Sequence, residues 1–233
     1  HSETTCKVLV TSANFTENNL EEDSNNLLII QDQALGKAYT LEFNEMWGST
    51  GSTPTSNSKF GTDKTDNTPH FFNIGGKAVE LYFSPSDHVE QAINDKLKTA
   101  DNDLGFALFT FTRDLFAQTL LKLNNEDVAV YGVIDNESYY GSEDNNLEDG
   151  GVAILKFNRK DDMHNKYAFI DALDTNSNPL VITGSYNWSN SAEEKYDENT
   201  IMIHDAHIVN EYYEDLNTFT NFGHEKALLN NIV

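Results

Sequence analysis

Hydrophobic positions in the second half of the chain follow two alternating patterns. Short runs of β-branched and aromatic residues, such as 77–83 (KAVELYF) and 127–135 (DVAVYGVID), have the composition of buried strands. Between them, 86–100 and 112–123 carry apolar residues at helical spacing. Because strands alternate with helices, the pattern predicts an α/β fold with a mixed, largely parallel sheet packed between helices.

The pattern continues to the last quarter of the chain and is interrupted once. Further strands are predicted in 151–157, 166–172, 180–186 and 200–205, with a closing helix over 206–219. Residues 49–76 are instead rich in Ser, Thr, Gly, Asn and Asp, which is typical of a connector. We therefore expect the chain to divide at this segment.

The chain contains an internal repeat. Shifting the sequence by 173 residues places 7–44 on 180–217 without a gap. Both segments predict a strand, an S-x-N sequence, a second strand and a helix. The positions of the first copy that are identical in the second are Val8, Ser12, Asn14, Glu21, Asn26, Ile30, Asp32, Tyr39 and Asn44.

The repeat leads to three predicted regions. Residues 77–233 form a complete second repeat, 49–76 a linker, and 1–48 the C-terminal part of a first repeat. Such a fragment cannot enclose a core alone. We expect the rest of the first repeat to precede His1 or to be supplied by another subunit.

Composition excludes several classes of protein. Thirty-eight acidic residues against fifteen Lys and Arg give a formal charge of −23, which argues against a general DNA-coating protein. A single cysteine, Cys6, rules out an internal disulfide and a cysteine-based structural zinc site. No apolar run approaches the roughly 20 residues that span a bilayer.

Four polar side chains are expected at two strand ends. His164 and Lys166 are two residues apart, so they share one face of a strand, and Ser185 and Asn187 follow a later strand. Gly184 allows close backbone approach there. Phosphoryl transfer needs a nucleophile and donors to the phosphate oxygens, although each of these residues alone is also an ordinary surface residue.

The whole arrangement resembles the phospholipase D superfamily, in particular its small nuclease-like branch. The resemblance rests on His164-x-Lys166-x4-Asp171, on Gly184-Ser185-x-Asn187, and on a later Glu198-Asn199. It covers 77–221 in full and 7–48 as the tail of a first copy. It implies an α/β/α sandwich in which two repeats, or two subunits, face each other with a pseudo-two-fold relation and share one cleft.

The resemblance also implies roles for these residues. His164 is the nucleophile or its acid/base partner, and Lys166, Ser185 and Asn187 contact phosphate oxygens. Glu198 corresponds to the carboxylate that orients the histidine. Asp171, whose side chain has the opposite parity, is expected to hold the turn after its strand.

The first copy departs from this pattern. It has Thr11 where the second copy has Gly184, and Asn25 in place of Glu198. Ser12 and Asn14 persist, and we expect both to approach the cleft that contains His164. An amide in place of the orienting carboxylate leaves a first-copy histidine less basic, which favours His164 as the better-activated group.

Local charge near the motif has two interpretations. Four basic residues around His164 indicate either a positive spot or a solvated turn: Lys156, Arg159, Lys160 and Lys166. The acidic segment 135–150 is expected to be a mobile loop on the side of the site, where it either excludes polyanions or increases solubility.

The leading functional hypothesis is a phosphodiesterase of the phospholipase D type. It acts through a phosphohistidine, needs no cofactor or metal, and cleaves phospholipid headgroups or small diesters. The alternatives are a non-specific nuclease and a degenerate binding module, the latter suggested by Thr11 and Asn25. His70, His88, His204, His207 and His224 show no metal-ligand spacing. Secretion or a periplasmic location is expected.

Overall fold

The computed structural model describes residues 6–135, 140–157, 160–174 and 176–222. Within these residues, no helix combines the length and the apolar character that crossing a bilayer requires. The α/β class is confirmed, since one large sheet lies between helices.

The large sheet has eight strands. Its spatial order is β3-β4-β10-β9-β8-β5-β6-β7. The strands are β3 (Phe71–Ile74), β4 (Lys77–Phe83), β5 (Asp103–Leu108), β6 (Ala129–Ile134), β7 (Ala153–Lys156), β8 (Lys166–Ile170), β9 (Leu180–Gly184) and β10 (Asn199–Ile203).

The sheet is mixed as expected, but the balance between directions differs from the prediction of largely parallel pairing. Among the described strands, β5–β6 and β6–β7 are parallel and the other five neighbouring pairs are antiparallel. Parallel pairing requires a long crossover. Helices supply that crossover between β5 and β6, whereas β8 reaches β9 through a short loop and so runs antiparallel to it.

Two hydrophobic cores cover the two faces of this sheet. On one face, apolar residues of α3 and α4 pack on the strands, with Ile93 and Phe116 fully buried. On the other face, Val209 and Leu216 of α7 pack together with Leu35 of the first repeat. The helices of this part are α3 (Val89–Leu97), α4 (Asp114–Asn125), α5 (Asp144–Asp149), α6 (Asn190–Glu194) and α7 (Ala206–Phe222).

The first-repeat segment forms its own small unit against the large domain. An antiparallel pair of strands is followed by a long helix, and a short helix lies between the strands. These elements are β1 (Lys7–Thr11), α1 (Glu17–Glu21), β2 (Leu27–Gln31) and α2 (Gln33–Trp47). Three of the four, β1, α1 and β2, have the lengths of β9, α6 and β10.

Two predicted irregular segments contain regular structure. Strand β3 lies inside the predicted linker, because its alternating FFNI sequence pairs with β4 after a tight turn. Helix α5 lies in the predicted acidic loop and packs Leu147 into the core, which corrects the expectation of a loop throughout 135–150. Residues 136–139 of that loop lie outside the described residues.

Candidate active site

The predicted site residues of the second repeat meet at one edge of the large sheet. Lys166 is the first residue of β8 and His164 precedes it by two positions. Ser185 directly follows β9, and Glu198 directly precedes β10. Because these three strands are antiparallel neighbours, the start of β8, the end of β9 and the start of β10 lie at the same edge.

The ring of His164 is held by the first repeat. Its Nδ1 lies 3.2 Å from Oδ1 of Asn25, and its backbone N–H donates to the carbonyl of Ser24 at 2.8 Å. The amide nitrogen of Asn25 donates to the carbonyls of Asn19 and Asp23, so Oδ1 is the atom that faces the imidazole. Nδ1 therefore carries the proton, and Nε2 keeps its lone pair.

Burial determines the protonation of the two basic groups. Burial, together with the positive charge of Lys166, lowers the pKa of His164 to about 4. Burial also lowers the pKa of Lys166 to about 7, although Glu198 and Asp162 oppose that shift. His164 is therefore neutral at pH 7, which is the form that a nucleophile requires.

The aromatic ring of Phe109 contacts both the histidine and the lysine. Phe109 lies with its ring centroid 4.6 Å from that of His164 and 5.0 Å from Nζ of Lys166. Nζ of Lys166 also donates to the carbonyl of His164 at 2.7 Å. These contacts fix the ammonium group beside the imidazole within a largely buried environment.

Glu198 does not occupy the position expected for it. Its carboxylate bonds with Ser185 and interacts with Lys166, while burial raises its pKa. The orienting contact to His164 comes instead from Asn25, its counterpart in the first repeat. The expectation that Glu198 orients His164 is corrected, because the side chain that reaches Nδ1 of His164 is that of Asn25, while the carboxylate of Glu198 is bound to Ser185.

Ser185 and Gly184 are needed for the close approach of β9 and β10. Oγ of Ser185 accepts the backbone N–H of Asn199 at 3.0 Å. Gly184 has a φ of +147°, and a Cβ there would lie 2.2 Å from the carbonyl oxygen of Asn199. A side chain at this position would therefore separate the strands and displace Ser185.

A small cavity begins beside the motif. It has a volume of about 320 Å³ and includes Phe109 and Asn187 in its wall. Oδ1 of Asn187 is buried and has no hydrogen-bond partner among the described residues. The remaining wall carries hydroxyl, amide and aromatic groups and no charged side chain: Thr110, Thr112, Tyr140, Ser189, Asn190, Ser191 and Tyr196.

Asp171 lies away from this edge, at the other end of β8. Its Oδ1 accepts the backbone N–H groups of Asp101 and Asn102, and its Oδ2 accepts the hydroxyl of Ser177. Its φ of +56° places it in a turn. The contacts agree with the expectation that Asp171 holds the turn after its strand.

The two first-repeat counterparts behave differently. Ser12 is buried, its Oγ donates to Asn25 at 2.9 Å, and its backbone hydrogen-bonds with the side chain of His164. Asn14 is exposed, and its backbone hydrogen bonds stay within its own loop. The structure thus brings Ser12 into contact with His164, and it shows no such contact for Asn14 among the described residues.

Reciprocal hydrogen bonds relate the two repeats. Tyr39 of the first repeat donates to Oδ1 of Asn199 in the second at 3.3 Å. Tyr212 of the second donates to Oδ1 of Asn26 in the first at 3.4 Å. Under the 173-residue shift these two bonds exchange, which is the signature of an approximate two-fold relation.

Lys156, one member of the predicted positive spot, is neutralised by acidic neighbours. Lys156 pairs with Asp144 at 3.0 Å and with Glu148 at 2.9 Å, and these hydrogen bonds raise its pKa. Lys166 is buried, and Arg159 lies outside the described residues. The solvated-turn interpretation therefore fits Lys156 better than an electrostatic role does.

Sequence reasoning missed the residues that connect the repeats. Asn25 departs from the pattern of the second copy in sequence, yet its side chain contacts the histidine of that second copy. Asn26 donates to Oδ1 of Asn165 at 3.0 Å and accepts from Thr183 at 2.9 Å. The identity of Asn26 with Asn199 under the 173-residue shift is the feature of the sequence that could have indicated a shared structural role.

Comparisons with known proteins agree with this geometry. Residues 93–220, more than half of the chain, match the family model described as "Cardiolipin synthase, PLD-like domain". A protein named mitochondrial cardiolipin hydrolase from Xenopus laevis is 31% identical over 157 residues, which cover 62% of this chain and 72% of that protein.

Solved structures share the fold. Nuc from Salmonella typhimurium, a phospholipase D family member, has a TM-score of 0.56 and 22% identity, covering 62% of this chain and 95% of Nuc. Phosphatidylserine synthase from Haemophilus influenzae has a TM-score of 0.62 and 12% identity, covering 91% of this chain and 59% of the synthase. The chain belongs to the phospholipase D superfamily and is a phosphodiester hydrolase of that type.

Proposed function

We propose that the chain cleaves phosphodiesters through a phosphohistidine on His164. The observation that carries this proposal is the contact of Nδ1 with Asn25, which leaves the Nε2 lone pair of a neutral imidazole available. In the first step an Nε2–P bond forms and the P–O bond to the leaving group breaks. In the second step water attacks phosphorus and releases His164.

The protons in this cycle need a second group. The alkoxide leaving group must gain a proton, and the attacking water must lose one. We propose that Glu198 raises the basicity of an imidazole supplied by the first repeat, and that this group donates and then recovers the proton. Lys166 and Asn187 are proposed to contact the non-bridging oxygens of the phosphate.

We further propose that this second histidine comes from a first-repeat layer packed on β2. Among the described residues, β2 pairs with β1 and leaves its other edge free, whereas its counterpart β10 pairs on both edges. A cavity of about 330 Å³ lies between Asn25, Asn26 and the start of β2 on one side and residues of α7 on the other. A preceding segment or a second subunit would complete the layer.

The cavity favours small diesters and phospholipid headgroups as substrates. Its wall is uncharged, so it suits a neutral hydroxyl-bearing group rather than a row of phosphates. The charge of −23 and the pairing of Lys156 oppose electrostatic tracking of a polynucleotide. The named activity of the frog relative, a cardiolipin hydrolase, points the same way.

The first test traps the covalent intermediate. The full chain is mixed with a chromogenic diester, quenched in alkali, and digested for mass spectrometry, since a phosphoramidate survives alkali and is lost in acid. We expect an added phosphoryl group on His164, absent from His164→Asn and retained in the exposed control His207→Asn. Phosphate on another residue, or turnover with no acid-labile adduct, would contradict the assignment.

A second test addresses the substrate. Hydrolysis of vesicles of an anionic diacyl phospholipid is compared with that of single-stranded DNA at the same phosphate concentration. We expect faster release from the lipid. Faster cleavage of DNA would support the nuclease alternative. Inactivity on both substrates, in a sample that includes the proposed preceding segment or second subunit, would support the degenerate binding module.

A further inference from the structure

A second cluster of reactive side chains lies outside the cleft. Asp66 and His70 are in the segment before β3, and Asp87 follows β4. The ligand atoms that the three residues offer all lie within 4.8 Å of one another. His70 shows no metal-ligand spacing in the sequence, because Asp87 is brought to it only by the folding of β4.

The imidazole of His70 is held in one orientation. Its Nδ1 lies 2.8 Å from the carbonyl of Leu81, so Nδ1 donates its proton there. Its ring also stacks on Tyr82, with centroids 4.6 Å apart and an interplanar angle of 19°. A ring nitrogen that donates to a backbone carbonyl while the other faces outward is typical of metal-binding histidines.

The free nitrogen faces a carboxylate. Nε2 of His70 lies 3.1 Å from Oδ1 of Asp66. Either a proton on Nε2 or a metal ion bound by both atoms would remove the repulsion between the two lone pairs at this distance. Two ligands that each lie about 2.0–2.2 Å from a zinc ion at a tetrahedral angle are roughly 3.4 Å apart, so the observed spacing suits a metal with little adjustment.

The cluster also carries an excess of negative charge. Asp87 is buried, and its Oδ2 lies 4.0 Å from Nδ1 of His70. Its oxygens accept hydrogen bonds from Phe83 and Ser86, and each keeps a second lone pair. In the described part of the chain, no lysine or arginine forms an ion pair with Asp66 or Asp87.

We propose that Asp66, His70 and Asp87 bind one divalent cation of the zinc type. The donor set of one imidazole and two carboxylates is one that zinc accepts, with water completing the shell. The ion would join the segment that leaves the first repeat to the end of β4, and its role is structural. It is independent of the chemistry proposed for His164.

Direct binding tests this proposal. The full chain is stripped with a chelator, dialysed, and titrated with ZnCl₂ and separately with MnCl₂ by calorimetry. The test variants are Asp66→Asn, at a half-exposed position, and His70→Phe, which keeps the stacking on Tyr82. The control is His207→Phe, whose imidazole is 83% exposed and lies 3.9 Å from a glutamate.

We expect one zinc equivalent in the wild type and in His207→Phe, with manganese weaker. Loss of a ligand should weaken binding at least tenfold, because even outer contacts of a metal site change affinity by about 10–100-fold. Circular dichroism establishes that each variant is folded. Equal zinc affinity in the wild type and in both test variants, or no binding to the wild type, would overturn the proposal and leave the cluster as an ion pair of protonated His70.

Discussion

The two repeats of this chain share their local structure and differ in their surroundings. Thr16 and Ser189 cap equivalent short helices, each accepting a backbone N–H three residues later. Asn26 and Asn199 each donate a backbone N–H to a serine hydroxyl at 3.0 Å. The same short-range sequence features therefore build the same unit twice.

Burial separates the two copies. Leu9 is 45% exposed and Ile29 is 60% exposed, whereas their counterparts Ile182 and Met202 are 2% and 0% exposed. The second copy is covered by α3 and α4, and its partner strand β4 lies on its edge. The two copies therefore share their local structure, and their outer faces differ in burial because α3 and α4 cover the second copy.

Chemistry separates them as well. The first copy presents Asn25, a neutral amide, to the histidine of the second copy, whereas the carboxylate of Glu198 bonds with Ser185 and interacts with Lys166 in its own copy. In the mechanism proposed above, His164 beside the neutral amide is the nucleophile, and Glu198 acts on an acid/base histidine of the first repeat.

Loss of the proposed nucleophile is expected to have the largest effect. His164→Asn should reduce kcat by about 10⁴ to 10⁶, the range seen when a catalytic unit is broken. Initial rates on a small diester measure it, with His207→Asn as the matched control. Near-normal turnover in His164→Asn would remove this residue from the mechanism.

Loss of the proposed orienting carboxylate should have the next largest effect. In an assembly that contains the proposed first-repeat histidine, Glu198→Gln keeps the size of the side chain and should lower kcat about 10²- to 10⁴-fold, the usual contribution of general acid–base catalysis. The comparison is with Glu148→Gln at the surface. Equal rates for the two variants would show that Glu198 has a purely structural role.

The difference in burial predicts a difference in stability. Ile182→Ala should lower the free energy of unfolding by about 2–5 kcal/mol, because it leaves a cavity in the core. The equivalent change Leu9→Ala should stay within about 0.5 kcal/mol, as at other surface positions. Urea denaturation measures both. A large loss for Leu9→Ala would mean that this face is already covered in the chain as it stands.

The reciprocal tyrosine bonds predict small and similar effects. Tyr39→Phe and Tyr212→Phe each remove one hydrogen bond between the repeats and should cost about 0.5–1.5 kcal/mol. Denaturant midpoints of the two variants should agree closely. A cost at one tyrosine alone would argue against the approximate two-fold relation.

Much of the fold could be predicted from the sequence. Features that depend on neighbouring residues can be recognised in the sequence. Examples are the buried apolar runs of β5 and β6 and the helix caps that occur in both repeats. The direction of β8 and β9 cannot be recognised in this way, because it depends on the length of the loop between them. Strand β3 was hidden by its polar flanks.

The candidate site also has a part that the sequence predicts and a part that it does not. His164, Lys166, Ser185 and Glu198 could be found because they are close in sequence and match a family pattern. The contact of His164 with Asn25 spans 139 residues, so no local pattern encodes it. The secreted location stays a prediction, since it rests on composition alone.

The pKa of His164 tests the shared cleft most directly. It can be followed by NMR titration of the imidazole in the wild type, Asn25→Asp and Glu198→Gln. Because an anion beside Nδ1–H favours the imidazolium, Asn25→Asp should raise the pKa from about 4 by roughly 1–3 units, while Glu198→Gln should leave it unchanged. A pKa of His164 that is unchanged in Asn25→Asp and shifted in Glu198→Gln would contradict the account.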